Sequence, residues 1–366
     1  MMRLASLIER FEAPFLADYG DRLLPEHQQA LAALKTCRTA LSPRLEAQCP
    51  ACEERVFVPH SCGHRACPHC QHHESQQWLE RQLKALVPGE YFLLTFTLPA
   101  EFRTLAFAHQ RVIYGALMQC AWQTVRSFSL NDRDLQGTPG AIAVLHTHSR
   151  RLDYHPHVHL VMPAAALDAE RRLWRVKPGQ RYLFPHKALA KVFRAKLLEA
   201  MTAAGLTLPA RHPRPWVVDC QHVGSGEKAL VYLGRYLYRG VLQEKDILAA
   251  DDGQVTFRYR DAKTKRWQTR TLSGADFLWL LLQHVLPKGL RRARQFGFLH
   301  PNSKRLRELL HRLLMLAPGQ VGAWVRLRPA LVCPCCGGEL TIIRTRIRPL
   351  PGRHDPTLAA AGALAM

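Results

Sequence analysis

The sequence lacks long apolar segments, both along its length and in its first ten residues. It contains no run of about 18 or more uncharged apolar residues, so we predict no membrane span. The stretch from Met1 to Arg10 has no apolar segment of the kind that directs secretion, and we expect a cytoplasmic protein. Because the cytoplasm is reducing, we expect the 11 cysteines to be metal ligands or free thiols rather than partners in disulfides.

Acidic residues are scarce relative to basic residues. The 366 residues include 29 Asp and Glu against 51 Lys and Arg, which gives a net charge of +22 at pH 7. A charge of this size indicates a polyanionic partner, for which nucleic acid is the default, and no basic amphipathic helix favours a membrane surface instead. A composition of 47% hydrophobic and 22% charged residues is typical of a globular protein, and the length predicts two or three domains. No sustained heptad is present, so the sequence leaves the oligomeric state undetermined.

Two C-x-x-C pairs lie close together in the N-terminal part of the chain, Cys49 with Cys52 and Cys67 with Cys70. A C-x-x-C segment bends the backbone so that both thiolates face one ion, and two such segments complete a tetrahedral zinc site. We therefore predict that these four cysteines bind Zn²⁺.

The cysteine-rich region leaves alternatives open. His60, Cys62 or His64 could replace one of the four ligands, or could form part of a second site with Cys37. A further pair, Cys333 with Cys336, has no second pair downstream. This pair alone does not distinguish between half of a metal site that is completed from elsewhere in the chain and two reduced thiols.

Three histidines occupy alternate positions at 155, 157 and 159 within an apolar stretch. We predict strands over residues 91–98, 141–147 and 153–162, with the last two forming a hairpin. Side chains two apart in a strand point to the same face, and imidazole is the commonest metal ligand in proteins. The pattern therefore predicts part of a metal site on a rigid strand.

Two tyrosines, Tyr232 and Tyr236, lie four residues apart in a predicted helix over residues 229–239. That spacing places them on one face, about 5–6 Å apart, whereas Tyr238 is predicted to face elsewhere. A tyrosine pair on a helix is most often part of a core. The histidine strand and the basic charge give this pair a second, functional interpretation.

The segments Leu94–Pro99, His155–His159 and Tyr232–Tyr236 follow one another in the order seen in HUH endonucleases, whose name denotes two histidines around an apolar residue. With the cysteine-rich region and the stretch His284–Gly289, the chain resembles the two-tyrosine rolling-circle transposases of the insertion sequence ninety-one family. The resemblance extends from about residue 10 to about residue 340. The segment 63–71 departs from it, because the third cysteine of the paired set is not preceded by Asn-Arg-His.

The resemblance implies an α+β fold, in which an N-terminal helical zinc-binding module precedes an antiparallel sheet flanked by helices. It implies that His157 and His159 bind a divalent ion such as Mg²⁺ or Mn²⁺ beside the scissile phosphate. Tyr232 or Tyr236 would attack the phosphorus of single-stranded DNA, leaving a 5′-phosphotyrosine link and a free 3′-OH. The second tyrosine would accept the other strand end.

The third ligand of the divalent ion is not determined by spacing. The candidates are His146, His148, His155, His222 and Gln221.

Basic residues late in the chain predict DNA contacts. Lys288, Arg291 and Arg292 form a cluster, which is more typical of phosphate binding than an isolated charge. Arg235, between the two tyrosines, is predicted to contact DNA as well.

We predict a helical and zinc-binding module over residues 1–87, an HUH nuclease domain over 88–245, a basic DNA-contacting region over 246–345 and a disordered tail over 346–366. Two other functions fit part of the pattern. A zinc-containing DNA-binding protein without catalysis would leave the histidines and tyrosines unexplained. A metal-dependent hydrolase using the three histidines would need further ligands on a barrel for which the predicted strands are too few.

Overall fold

A computed structural model describes residues 2–179, 183–238, 241–261, 264–315 and 330–347. The side chains of His72, Tyr236 and Tyr238 lie outside this description, as does all of the predicted tail beyond residue 347. Among the described residues, no helix is both long enough and apolar enough to cross a membrane.

The described chain alternates between helices and strands. The helices are α1 (Leu4–Tyr19), α2 (Pro25–Thr36), α3 (His72–Leu83), α4 (Arg103–Ala108), α5 (Gln110–Asn131), α6 (His186–Ala203), α7 (Glu227–Tyr238), α8 (Gly274–Leu282) and α9 (Lys304–Leu313). The strands are β1 (Arg44–Gln48), β2 (Arg55–Pro59), β3 (Tyr91–Thr97), β4 (Thr138–His148), β5 (Tyr154–Pro163), β6 (Ala165–Asp168), β7 (Leu173–Val176), β8 (Val218–His222), β9 (Ile247–Ala249), β10 (Gln254–Arg260), β11 (Trp267–Ser273), β12 (Ala293–Gly297) and β13 (Thr341–Ile347).

The chain divides into two units. Of the described residues, the first unit contains those within 1–74, 238–285 and 325–366, and the second contains those within 75–237 and 286–324. The sequence prediction, in contrast, divided the chain into consecutive stretches.

The second unit is built on a seven-stranded sheet. Its strands follow the order β7-β6-β4-β5-β3-β8, and β12 pairs with β4 beside this path. All the recorded pairings are antiparallel. This arrangement confirms the predicted α+β class with an antiparallel sheet flanked by helices.

One face of this sheet carries the core of the second unit. Alternate side chains of β3 (Phe92, Leu94 and Phe96) are fully buried, as are Val158 and Leu160 of β5. They belong to one hydrophobic cluster with the buried faces of α5 and α6. Because side chains alternate along a strand, the intervening residues of β3 and β5 point to the opposite face. That face carries the odd-numbered histidines.

The first unit combines helices with two three-stranded sheets. α8 packs against α1, where the position of Gly274 brings its backbone against the ring of Phe11. One sheet has the order β11-β10-β9, and the other has the order β13-β1-β2. The second sheet joins strands from opposite ends of the chain.

Most of the elements that carry the candidate site were predicted correctly. β3, β5 and α7 lie within a few residues of the predicted bounds. The structure adds β12 where the sequence indicated only a basic cluster. β12 pairs with β4 through its backbone, and its side chains are only partly buried. It therefore needs no run of apolar residues, and this is why the sequence pattern did not predict it.

We predict that Gly297→Ala destabilises the second unit by about 2–4 kcal/mol. Gly297 has φ +62°, and a Cβ there would lie 1.7 Å from the carbonyl oxygen of Pro139 and 2.8 Å from Trp122. Equilibrium urea denaturation measures the loss. Gly115→Ala in α5 is the control, because nothing lies within 4 Å of a Cβ there. It should be neutral or stabilising by up to about 1 kcal/mol. Equal stability of the two variants would contradict the packing described for β12.

Candidate functional site

Three histidines meet on the sheet face opposite the hydrophobic core. In the β4–β5 pairing, His146 lies directly across from His157, and Val144 lies across from His159. The ring centroids of His146 lie 5.1 Å from His157 and 4.3 Å from His159. One nitrogen from each of the three rings falls within a group that spans no more than 4.8 Å. The strand register therefore creates a potential three-nitrogen metal site.

The backbone and a neighbouring threonine orient two of these rings. His157 Nδ1 lies 2.7 Å from the carbonyl oxygen of His155, so this nitrogen donates its proton and Nε2 keeps its lone pair. His159 Nδ1 lies 3.0 Å from Thr95 Oγ1, on the strand that pairs with β5 from the other side. Such hydrogen bonds are typical of metal-binding histidines, because they determine the tautomer and the ring orientation. Thr95 was not a predicted site residue, although it lies in the quoted segment 94–99.

Burial keeps the three imidazoles uncharged. It lowers the pKa of His157 to about 4 and, with the neighbouring His157, the pKa of His159 to about 3. The pKa of His146, which is only 1% exposed, falls well below its usual value for the same reason. Neutral imidazoles offer lone pairs, so the cluster suits a cation at neutral pH.

The other candidates for a third ligand lie outside this cluster. His155 Nδ1 accepts a hydrogen bond from the guanidinium of Arg103 at 2.9 Å, so this ring is engaged at the end of the strand. His148 Nδ1 lies 2.9 Å from the carbonyl oxygen of Ser149.

The two candidates on β8 are also engaged elsewhere. His222 pairs with Glu90 at 2.5 Å, and Gln221 donates to Asp219 at 2.8 Å. Among the described residues, His146 is the histidine that joins His157 and His159.

Tyr232 approaches this cluster from α7. Its ring is nearly perpendicular to that of His159, with centroids 6.4 Å apart, and the residue is 47% exposed. The buried face of α7, formed by Leu230, Leu233 and Leu237, leaves Tyr232 on the accessible side. Tyr236 lies one helical turn later in α7, and its side chain is outside the described part of the structure.

Contacts along its length hold α7 in place. Ser75 of α3 donates to the carbonyl oxygen of Gly234 at 3.0 Å, and Trp78 lies where a larger residue at 234 would extend. Arg292 donates to the carbonyl oxygen of Leu237 at 3.1 Å, where a cation also complements the helix dipole. Arg292 was predicted to contact DNA. That contact stays a prediction, and in the structure one nitrogen of the guanidinium binds the end of the tyrosine helix.

A basic cavity of about 800 Å³ opens in the same unit. Its arginines come from α3, α5, the segment that leads into β12 and β12 itself, and they are Arg81, Arg111, Arg291 and Arg294. Arg291, a predicted DNA contact, is exposed at this cavity. The other two predicted contacts, Lys288 and Arg235, are exposed outside its lining. Arg81 and Arg111 escaped the sequence analysis, because only the fold brings them near residue 291.

The predicted four-cysteine site is wrong in its grouping. Cys49 and Cys52 lie with Cys333 and Cys336, whereas Cys67 and Cys70 lie with Cys37 and Cys62. The reason is that β1 pairs with both β2 and β13, which brings the late cysteine pair to the end of the β1–β2 hairpin.

The cluster of Cys37, Cys62, Cys67 and Cys70 is compact. Cys37 Sγ lies 3.5 Å from the Sγ atoms of both Cys67 and Cys70. Hydrogen bonds among the neighbouring thiols lower the pKa of Cys70 and raise the pKa of Cys37, so the thiols share their protons, which a bound metal would displace. His60 is not part of either cluster, and its Nδ1 donates to the carbonyl oxygen of Ser61. Cys62 therefore lies in one cluster with Cys37, as one of the predicted alternatives allowed.

Comparisons with known proteins agree with this geometry. A family model described as "Putative transposase" matches residues 140–307, and one described as "Transposase zinc-binding domain" matches residues 7–98. The first match contains the histidine strands and α7, and the second contains the complete cluster of Cys37, Cys62, Cys67 and Cys70. The cysteine clusters and the domain match together support Zn²⁺ in the N-terminal region.

Two relatives extend the match over most of the chain. A protein of Sinorhizobium fredii named "Putative transposase y4qJ" is 31% identical over 322 residues, which cover 81% of this chain and 80% of the relative. The transposase for insertion sequence element IS801 of Pseudomonas savastanoi pv. phaseolicola is 29% identical over 288 residues, which cover 74% of this chain and 69% of the relative. The chain therefore belongs to the transposases of the insertion sequence ninety-one family and carries their zinc-binding domain.

Proposed function

We propose that this transposase cuts single-stranded DNA at the ends of its element by attack of a tyrosine hydroxyl on phosphorus, and that it transfers the strand in rolling-circle transposition. The observation that supports this most strongly is the position of Tyr232, whose exposed ring contacts His159 of the three-histidine cluster. A potential nucleophile and a potential metal site thus lie on the same accessible side of one sheet.

The residues present fit a divalent ion. Three neutral imidazoles would hold it through His146, His157 and His159, and they leave coordination positions for water and phosphate oxygens. When bound, an ion such as Mg²⁺ or Mn²⁺ would polarise the scissile phosphate and offset the negative charge that develops during the transfer.

The protein's own part in the reaction is the nucleophile and its placement. The Oη of Tyr232 or Tyr236 forms a bond to phosphorus as the bond from phosphorus to O3′ breaks. The bonding electron pair goes to O3′, and the net transfer of the tyrosine proton to that oxygen gives a free 3′-OH. The 5′ end stays attached to the protein as a phosphotyrosine, which conserves the phosphodiester bond for rejoining.

Two tyrosines on one helix allow two such transfers without hydrolysis. While one tyrosine holds a 5′ end, the other can attack a second phosphodiester. The anchoring of α7 through Gly234 and Leu237 supports this role, because a nucleophile must be held close to the reacting phosphorus.

The basic cavity supports binding of the single strand. Its four arginines can neutralise phosphates, and its aromatic residues, Trp78 and Phe296, offer surfaces on which bases could stack. Trp78 also packs beside Gly234 of α7, so the cavity adjoins the helix that carries the proposed nucleophiles.

We predict a covalent DNA–protein adduct that depends on the tyrosines of α7. The substrate is a single-stranded oligonucleotide that carries the end of this copy's own element, labelled at its 3′ end and incubated with Mn²⁺. Denaturing electrophoresis should show the label attached to the protein, because the 3′ portion of the cut strand keeps the 5′-phosphotyrosine. The adduct should be lost in the variant with both Tyr232→Phe and Tyr236→Phe.

Tyr259→Phe is the matched control, since Tyr259 lies on β10 and its hydroxyl donates to Gln268. It should form the adduct as the unmodified protein does. An adduct that survives in the double variant would contradict tyrosine attack by α7. Cutting with two free fragments in that variant would indicate a hydrolase instead, and DNA binding without any cutting would indicate a binding protein.

We predict that His146→Ala weakens Mn²⁺ binding by more than the roughly 10–100-fold that is typical when a residue that only orients a metal ligand is removed. Removing one of three nitrogen ligands leaves an incomplete site. His155→Ala should retain binding, since His155 interacts with Arg103 instead. Electron paramagnetic resonance of free Mn²⁺ measures both affinities. If the two variants lose affinity equally, His146 is not the third ligand.

We predict that Arg291→Ala combined with Arg294→Ala weakens binding of single-stranded DNA and lowers its salt dependence. Each lost phosphate contact should reduce the slope of log K against log salt by about 0.7. Fluorescence anisotropy with a labelled oligonucleotide at several salt concentrations measures this slope. Arg126→Ala provides the control, because Arg126 is exposed on α5 outside the cavity lining. An unchanged slope in the double variant would place the DNA elsewhere.

A further inference from the structure

We propose that residues 44–59 and 330–347 form a second zinc site, a zinc ribbon assembled from two hairpins at opposite ends of the chain. Its ligands are Cys49, Cys52, Cys333 and Cys336. Two of these cysteines lie outside residues 7–98, the range that matches the zinc-binding domain. The site involves neither the three-histidine cluster nor Tyr232, so it stands independently of the proposed nicking reaction.

The four sulfur atoms have the spacing of a tetrahedral site. Cys49 Sγ lies 3.4 Å from Cys336 Sγ, and Cys52 Sγ lies 3.6 Å from Cys333 Sγ. With Zn–S bonds of about 2.3 Å, neighbouring sulfurs of a tetrahedral site are about 3.8 Å apart. All four sulfurs fall within 4.8 Å of one another, so one ion can contact them all.

The first cysteine pair lies in a tight turn at the end of the β1–β2 hairpin. The N–H of Cys49 donates to the carbonyl oxygen of Glu54 at 2.9 Å. The N–H of Glu53 donates back to the carbonyl oxygen of Cys49, also at 2.9 Å. Glu53 adopts a left-handed conformation with φ 60°, which an L residue adopts only at a cost. The turn is therefore shaped so that both thiols face the same side.

The second cysteine pair repeats this backbone arrangement. The N–H of Cys333 donates to Gly338 at 2.7 Å, and the N–H of Gly337 donates to Cys333 at 3.0 Å. Gly337 has φ 75°, at the position equivalent to the left-handed residue of the first turn. A Cβ at Gly338 would lie 3.4 Å from Cys336 Sγ and 3.7 Å from Cys49 Sγ, so the backbone of the second turn lies within van der Waals distance of thiols from both turns. Two matching turns that face each other across four thiols form a built metal site.

Polar contacts align the two hairpins with each other, but the apolar surface that they bury together is small. The buried carboxylate of Glu46 on β1 pairs with Arg344 on β13 at 2.7 Å and with Arg55 on β2 at 3.4 Å. The associated core consists of four buried residues, Ala47, Cys49, Cys333 and Leu340.

Joining these hairpins closes a very long loop, since Cys49 and Cys336 are 287 positions apart. Such closure carries an entropic cost, which a small core offsets poorly and which metal–thiolate bonds can offset. Zinc at this site would therefore attach residues 330–347 to the β1–β2 hairpin.

The test begins with the full-length, unmodified protein. Plasma mass spectrometry should find two zinc ions per chain, one for each four-cysteine cluster. Alkylation under native conditions, mapped by mass spectrometry, should then show Cys333 and Cys336 protected together with Cys49 and Cys52. Cys335 is exposed and belongs to neither cluster, so it should react rapidly. Removal of zinc by a chelator should make the protected cysteines reactive.

Substitutions then assign the ligands. Cys333→Ser should reduce the zinc content from two ions to one, while Cys335→Ser, two positions away, should retain both. Adding Cys49→Ser to Cys333→Ser should cause no further loss, because both belong to one site. Adding Cys67→Ser instead should remove the remaining ion.

Three results would overturn the inference. They are a single zinc ion in the unmodified protein, rapid native alkylation of Cys333 and Cys336, and independent zinc losses from Cys49→Ser and Cys333→Ser. The alkylation experiment needs no variant, so it remains decisive even where a cysteine substitution prevents folding. Adduct formation by the tyrosines is a separate measurement, and its failure would leave the zinc count unaffected.

Discussion

The candidate site depends on the antiparallel pairing of β5 with β4 on one side and β3 on the other. That register places His146 opposite His157 and Thr95 opposite His159. A shift of one residue in either pairing would turn the partner side chain to the opposite face. The buried residues on the other face, including Phe96 and Val158, resist such a shift because each would leave the core. The hydrophobic core on one side of the sheet thus determines the geometry of the polar cluster on the other.

Sequence patterns could predict what lies within one element, and they failed where distant elements meet. The alternation of His155, His157 and His159 predicted a strand, and helical spacing placed Tyr232 on α7. His146 remained one of several candidates, because its place beside His157 depends on a register that local spacing does not encode. The same limit explains the cysteines. Each C-x-x-C turn is a local feature that sequence reveals, but its partner is chosen by strand pairing. Cys52 is 281 positions from its neighbour Cys333 and much closer in sequence to Cys67.

The histidine cluster and the ribbon of β1, β2 and β13 differ in what holds their side chains in position. The histidine cluster rests on a large core, which positions the three imidazoles whether or not an ion is bound. The ribbon of β1, β2 and β13 has a very small core, so the metal itself would supply much of its stability. Loss of metal should therefore have different consequences at the two sites. Without metal, the histidine site would keep its fold, whereas the two hairpins of the ribbon would separate.

The positive charge of the protein affects both its attraction for DNA and the protonation of its buried histidines. A protein with a net charge of +22 attracts DNA, and positive neighbours also disfavour protonation of an imidazole. At His146, burial is the main cause of the lowered pKa, the neighbouring histidines add to it, and Arg292 contributes in the same direction. Arg292 also binds the C-terminal end of α7, the helix that carries Tyr232. One arginine thereby contributes to holding the tyrosine helix and to keeping a potential ligand in its metal-binding form. Burial by itself removes the competing proton at neutral pH, so the core beneath the sheet, rather than the neighbouring positive charge, keeps the cluster able to accept a cation.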